Sequence, residues 1–393
     1  MSKPIGLGGK AVLTIGHMAG MIDMVALPLW IGGLMQHYRF SPQHAGITVT
    51  LFLLGMVIAS AVLAPLFNRI PRRLVTVLGF AAASACFLLI ARQPIDGASF
   101  ELLAPLHALA GLGAGCGLSL VHGSIGRTDN PHRLFGMVSL AAAVLGIGVF
   151  AVVPGLTAQY GASVLFVVFA VAMGLAAAVS LVGFPDLGDP ARVSAEGART
   201  ASPSSRLIWM PIAVVVCLTL NQSMVFAFVE RIGAARGFGA GDIQAMLVTL
   251  GFFNLLPGPL AAWTQHRISP LNVGIVGPVG QALLAFTLAS SAVFAPYALA
   301  GVLYVSMVIF THTFLFGLLS RLDPSGRATS ATPAMMMMGS CMGPALGGFI
   351  VSGLGYQGLG WAACLVSLVA VVLMARLRMQ LRGHADTLQR AFA

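Results

Sequence analysis

Charge is what this chain has least of. Of its 393 residues only 8% are Asp, Glu, Lys or Arg, and 11 acids stand against 21 bases. A soluble domain carries about a quarter of its residues as charges, so the scarcity excludes a soluble globule. Cysteine is sparse as well. Cys86, Cys116, Cys217, Cys341 and Cys364 all fall inside apolar runs and make no CxxC pair, which excludes a disulfide framework and leaves thiols that pack between helices. A phosphate-binding glycine loop, a metalloprotease HExxH and a nucleophile elbow are all missing. No enzymatic activity and no cofactor are expected.

What fills the chain is hydrocarbon. Hydrophobic residues make up 58% of it, gathered in runs of about 20 residues, the length that crosses ~30 Å of lipid. The runs predict twelve membrane spans, near 11–35, 43–66, 73–91, 102–126, 135–157, 162–184, 207–229, 243–263, 271–293, 297–319, 329–352 and 356–376. The first run is too long for a signal-peptide core and no small-residue cleavage site follows it, so the first span is retained. A lipid bilayer is the expected surrounding, and all-α the fold class.

The net charge of +10 suggests nucleic acid only until the bases are placed on this topology. With both termini on the cytoplasmic side, 17 Lys and Arg residues fall inside, and only Arg39, Arg92, Arg231 and Arg236 fall outside. That asymmetry is the positive-inside rule. It favours an even number of spans in a plasma membrane of the bacterial inner-membrane type and needs no nucleic acid.

The run from Pro185 to Arg206, PDLGDPARVSAEGARTASPSSR, interrupts the apolar pattern with Pro, Gly, Ser and charges, the composition of a linker. It divides the chain into a six-span bundle (1–184), a cytoplasmic linker (185–206), a second six-span bundle (207–379) and a cytoplasmic tail (380–393). The halves repeat weakly at an offset of about 196 residues. Leu54-Gly55 matches Leu250-Gly251, Arg127 matches Arg321, and the Tyr160-Gly161 turn matches Tyr356 before Gln357-Gly358. Parallel six-helix repeats are an architecture of rocking transporters.

Within the first span Asp23 is the only charge from Ala11 to Met35. A carboxylate in lipid is costly and marks a functional site. Helical rise places it about 18 Å above the inner end of its span. Four other polar groups are candidates for a buried site. Asn221 and Gln222 are the amide pair of the seventh span, and the repeat offset sets Thr219 to Asn221 opposite Asp23. Tyr304 and His312 lie about 80° apart on the tenth span and suit an amphipathic ligand. Trp30, seven residues after Asp23, shares its helix face and offers a ring to an aromatic or cationic substrate. Glu230 and Arg231 close the seventh span and read as an interfacial ion pair or a gate contact.

Several runs carry a resemblance. Ala64-Pro65-Leu66-Phe67-Asn68-Arg69-Ile70-Pro71-Arg72-Arg73 is similar to the G-x-x-x-D-R-x-G-R-R signature between the second and third spans of the major facilitator superfamily, with Asn68 at the acidic position. Asp23 followed by Ala26-Leu27-Pro28 resembles the first-span signature of drug:proton antiporter branches. Leu106 to Gly115 is similar to a fourth-span pattern in which His107 occupies the place of an arginine. Gly339-Ser340-Cys341-Met342-Gly343-Pro344-Ala345-Leu346-Gly347-Gly348 matches the G-x-x-x-G-P-x-x-G-G pattern that exporters carry in the fifth span, displaced here to the eleventh.

The resemblance implies two pseudosymmetric six-helix bundles around a central cavity lined by spans 1, 4, 7 and 10. It implies alternating access for a small-molecule substrate by a monomer, with protons exchanged at Asp23 and His107, and with Asn68, Arg69, Arg72 and Arg73 as an inner-gate latch. Efflux of a drug or metabolite is the leading expectation, and proton-coupled uptake the alternative. Copper or other metal import through His17, Met21 and Met24 is a third reading, though no metal site is assigned. A membrane sensor that moves nothing is the reading from a different class.

Overall fold

The computed structural model describes residues 5–94, 99–128, 131–185, 205–322 and 332–391, so most of the expected linker, 186–204, lies outside the described residues. Everything regular among them is helix: α1 (Leu7–Gly20), α2 (Ile22–Gln36), α3 (Pro42–Leu63), α4 (Arg72–Ala91), α5 (Phe100–Ile125), α6 (Pro131–Tyr160), α7 (Ser163–Gly183), α8 (Ser205–Phe226), α9 (Val229–Ala235), α10 (Ala240–Phe253), α11 (Pro257–Thr264), α12 (Pro270–Ser290), α13 (Phe294–Leu322) and α14 (Thr332–Ala391).

Among the described residues, 11 helical stretches are long and apolar enough to cross a membrane. The last is two arms that meet at Gly355, whose φ of 68° breaks the helix, so the chain makes the expected twelve crossings. Gly161, at φ 89° between α6 and α7, is its counterpart in the first half. Both take the left-handed conformation open to glycine without penalty. The sequence repeat had set Gly358 in this role, and the turn falls three residues earlier. The second arm of α14 continues as helix to Ala391, through the segment expected to be a tail.

Three spans are broken where sequence periodicity reads straight through. α1 and α2 form the first crossing, interrupted at Met21; α8 and α9 form the seventh, interrupted at Ala227 and Phe228; α10 and α11 form the eighth, parted before Pro257. In lipid, backbone freed by such a break is tolerated only where protein or a cavity surrounds it.

Within the first half, glycine sets the helix spacing. A side-chain carbon added at Gly55 would sit 2.6 Å from the Ala108 carbonyl, and one at Gly111 would strike the Phe52 backbone, so α3 and α5 touch main chain to main chain. Small residues allow such approach between helices that gain nothing from hydrophobicity in lipid.

The two halves meet along three helix pairs. α3 lies on the first arm of α14, α6 on α10, and α2 on α9. Gly46 faces the Pro344 carbonyl and Gly348 faces that of Pro42, again without room for a Cβ. The Ala345 N–H donates to Thr50 Oγ1 at 3.0 Å, and Gln244 Nε2 donates to the Ala151 carbonyl at 2.8 Å. Numbering of the crossings places all these contacts between mid-membrane and the end opposite the arginine-rich connections. Toward the arginine-rich end Ala61 of α3 and Ala334 of α14 are exposed. Among the described residues, these contacts between the halves gather at the far end.

Candidate functional site

Asp23 is the second residue of α2, just past the break at Met21. It is 4% exposed, and its Oδ1 has no hydrogen-bond partner. The backbone N–H groups of Asp23 and Met24 interact with the carboxyl. They belong to the first turn of α2, where unsatisfied N–H groups and the helix dipole favour negative charge. The break thus puts a carboxyl at mid-membrane and gives it a partial cradle, leaving one oxygen aimed elsewhere.

Asp23 borders a cavity of about 20 Å³ between the halves, lined by Asp23, Met24, Leu27 and Leu53 from the first and Gln222, Ser223, Phe226 and Ser340 from the second. The volume admits about one water molecule and no organic substrate, so in this state the halves are closed down around the acid. Gln222, one residue past the Thr219–Asn221 stretch that the repeat sets opposite Asp23, lines this cavity. Ser223 and Ser340 join it, and nothing in their own sequence context marks them, because serine in an apolar helix is common.

Asn221, the other half of the amide pair, points away. Its Nδ2 donates to the Ala363 carbonyl and to Ser367 Oγ, both at 3.0 Å. Tyr304 is fully buried and donates its hydroxyl to the Asn221 carbonyl at 2.7 Å. His312 is 9% exposed, packs its ring 5.0 Å from that of Phe316, and leaves Nδ1 unpartnered. None of these three borders the cavity at Asp23.

His107 and Trp30 are brought together, though not at the cavity. The Trp30 indole N–H donates to His107 Nε2 at 3.2 Å, and His107 Nδ1 meets the Leu103 carbonyl at 2.7 Å. The carbonyl accepts only, so Nδ1 carries the proton and Nε2 is the acceptor, which is one complete neutral tautomer. Phe52 and Phe169 present edges to Trp30 at centroid distances of 5.0 and 4.9 Å. The structure pairs His107 with Trp30 and Leu103, and not with Asp23.

A histidine pair that the sequence reading left unjoined spans α1 and α5: His17 Nδ1 lies 2.9 Å from His122 Nε2. His17 is thus engaged by a nitrogen, and among the described residues no three metal-ligating His, Cys, Asp or Glu residues gather.

The latch signature binds within one half. Asn68 Oδ1 accepts from Arg127 Nη1 at 3.2 Å, Arg73 Nη2 donates to the Leu181 carbonyl, and the Arg72 guanidinium lies 5.3 Å over the Phe67 ring. Arg69 is exposed. Asn68 ties the loop between α3 and α4 to Arg127 just past α5, and Arg73 in the first turn of α4 bonds a carbonyl in the last turn of α7.

A second cavity, about 290 Å³, opens at the far end between α2, α6, α9 and α10. Gln36, His37, Glu230, Phe238 and Gln244 are among its walls.

The chain resembles known proteins along nearly all its length. No curated protein matches it in sequence. Its fold is similar to the crystal structure of a substituted form of the nucleoside transporter NupG, with a TM-score of 0.75 at 13% identity, over 94% of this chain and 99% of that one. The profile described as the Major Facilitator Superfamily matches residues 12–332. Two six-crossing halves meeting over a buried carboxyl, and a family match over most of the sequence, lead to one conclusion: the chain belongs to the Major Facilitator Superfamily of membrane transporters.

Proposed function

We propose that this transporter couples movement of a small polar organic molecule to protons, with Asp23 as the proton-carrying group. The observation that carries the reading is the position of Asp23: excluded from solvent, one oxygen without a donor, on the seam between halves at a broken helix. An ionised carboxylate held there lacks the hydrogen bonds that offset its desolvation. Separation of the halves brings water and substrate to it, and closure around the neutral acid carries the proton across the midplane.

Gln222, Ser223 and Ser340 supply an amide and two hydroxyls opposite Asp23, a set suited to a polar, uncharged or cationic ligand. The contacts between the halves at the far end support a reading in which access is from the arginine-rich end. With positive-inside orientation that face is cytoplasmic, in a plasma membrane of the bacterial inner-membrane type. The Asp23 to Pro28 signature supports efflux in exchange for protons, by a monomer. Uptake is the alternative that the nucleoside transporter's fold keeps open.

A thermal-shift screen of nucleosides, amines and hydrophobic drugs, followed by flux of the stabilising compound in both directions across proteoliposomes with an imposed pH gradient, tests this reading. Gradient-driven flux in wild type that is lost in Asp23→Asn supports it. Flux indifferent to the gradient overturns it.

A further inference from the structure

The far-end cavity holds a carboxyl that the mechanism at Asp23 does not use. Glu230 lies in α9, the short helix after the break in the seventh span, and its Oε2 is excluded from solvent without a hydrogen-bond partner. Across the seam, a carbon added at Gly32 of α2 would collide with that oxygen, so the acid rests directly on the backbone of the opposite half. Its other side is a wall of the 290 Å³ cavity. Two features coincide at one residue: a contact across the seam in which Oε2 has no donor, and a place in the wall of a cavity between the halves.

One cation, Arg231, acts on it through charge alone and makes no hydrogen bond to Oε2, and the Arg231 Nε and Nη1 also lack partners. Arg236 spends Nη2 on the Ala289 carbonyl of α12, and Tyr297 of α13 gives its hydroxyl to the Val229 carbonyl at 2.6 Å. Gln36 of α2 and His37 just after it line the cavity, as does Gln244 of α10; Asp242 sits at the start of α10 beside Gly239, and Arg39 follows α2.

We infer that Glu230 is a second proton-binding site, which exchanges its proton with the far side and must be neutral for the far end to close. On opening, the carboxylic acid faces water in the vestibule and releases H⁺ to it. On closing, the carboxylate takes H⁺ from the vestibule and the neutral acid packs against Gly32. The inference rests on the transport reading for its purpose, but its test needs neither substrate nor flux.

Spin labels at Tyr160→Cys and Leu354→Cys, both exposed at the far end of opposite halves, report closure in a background without the native cysteines. Raising pH is expected to lengthen the inter-label distance in the otherwise unsubstituted protein, and Glu230→Gln to hold it short at every pH. Gly32→Ala is expected to lengthen it at every pH, and Gly32→Ala with Glu230→Ala to restore closure. His37→Gln is expected to leave the pH response intact.

A wild-type pH response in Glu230→Gln, or normal closure in Gly32→Ala, overturns the inference. So does loss of the response in His37→Gln. The Gly32 variants decide the matter if Glu230→Gln does not fold. The response is also expected in Asp23→Asn, so failure at Asp23 and failure at Glu230 are separable.

Discussion

Trp30 donates its indole N–H to His107 Nε2 across the packed interior of the first half, and the histidine donates its own Nδ1–H to the Leu103 carbonyl. This chain of two bonds gives His107 everything a neutral imidazole can use. It makes the histidine a fixed part of an aromatic core formed with Phe52, Phe87, Phe166 and Phe169.

The pair leads to a stability prediction. Trp30→Phe removes the donor and leaves a buried acceptor unsatisfied, a loss of about 1–3 kcal/mol. Its thermal midpoint is expected to fall, and the pH dependence of transport to keep its shape. His107→Gln, which retains an acceptor and a donor, is expected to fall less far than His107→Ala. Detergent-phase thermal unfolding beside a flux-against-pH series checks both.

The amides of the seventh span should separate cleanly. Asn221 is anchored to Ala363 and Ser367 in the second half, whereas Gln222 lines the cavity at Asp23. Asn221→Ala is expected to lower thermal stability with little effect on the affinity of correctly folded protein. Gln222→Ala is expected to weaken substrate binding about tenfold, or ~1.4 kcal/mol, at unchanged stability. Binding titration and melting of the two variants in parallel check the division.

Closure at the far end depends on bare backbone. Gly46 has no space for a side chain against Pro344, so Gly46→Val should wedge α3 from α14. The expected result is a longer distance between labels at positions 160 and 354 and an arrest of turnover, in protein that still elutes as a folded species. An unaltered distance removes this contact from the closure mechanism.

The crossings, the even count and the division into halves were legible because spans are long and lipid imposes composition residue by residue. Asp23 stood out for the same reason, as the lone charge among apolar neighbours. The breaks at Met21 and before Pro257 were harder to see. Proline marks the second, but Met21 is a good helix former, and its departure depends on what packs around it. The separation of Asn221 from Gln222 depends on about 100° of helix rotation that an offset of 196 residues, uncertain by one or two, cannot assign. Trp30 shares the helix α2 with Asp23, but its ring packs against Phe52, Phe169 and His107 inside the first half, a set of partners that no local pattern announces. The His17 and His122 pairing joins residues 105 apart, with no local pattern to announce it. Glu230 was visible as a charge, but its contact with Gly32 belongs to the assembled halves.

The most direct test of the central claim is proton-coupled flux through Asp23→Asn in proteoliposomes, with the compound found by thermal shift and with an imposed pH gradient. The account predicts that the folded variant binds the compound and still exchanges it across the membrane, while the pH gradient no longer drives accumulation. Accumulation equal to wild type in Asp23→Asn would contradict it.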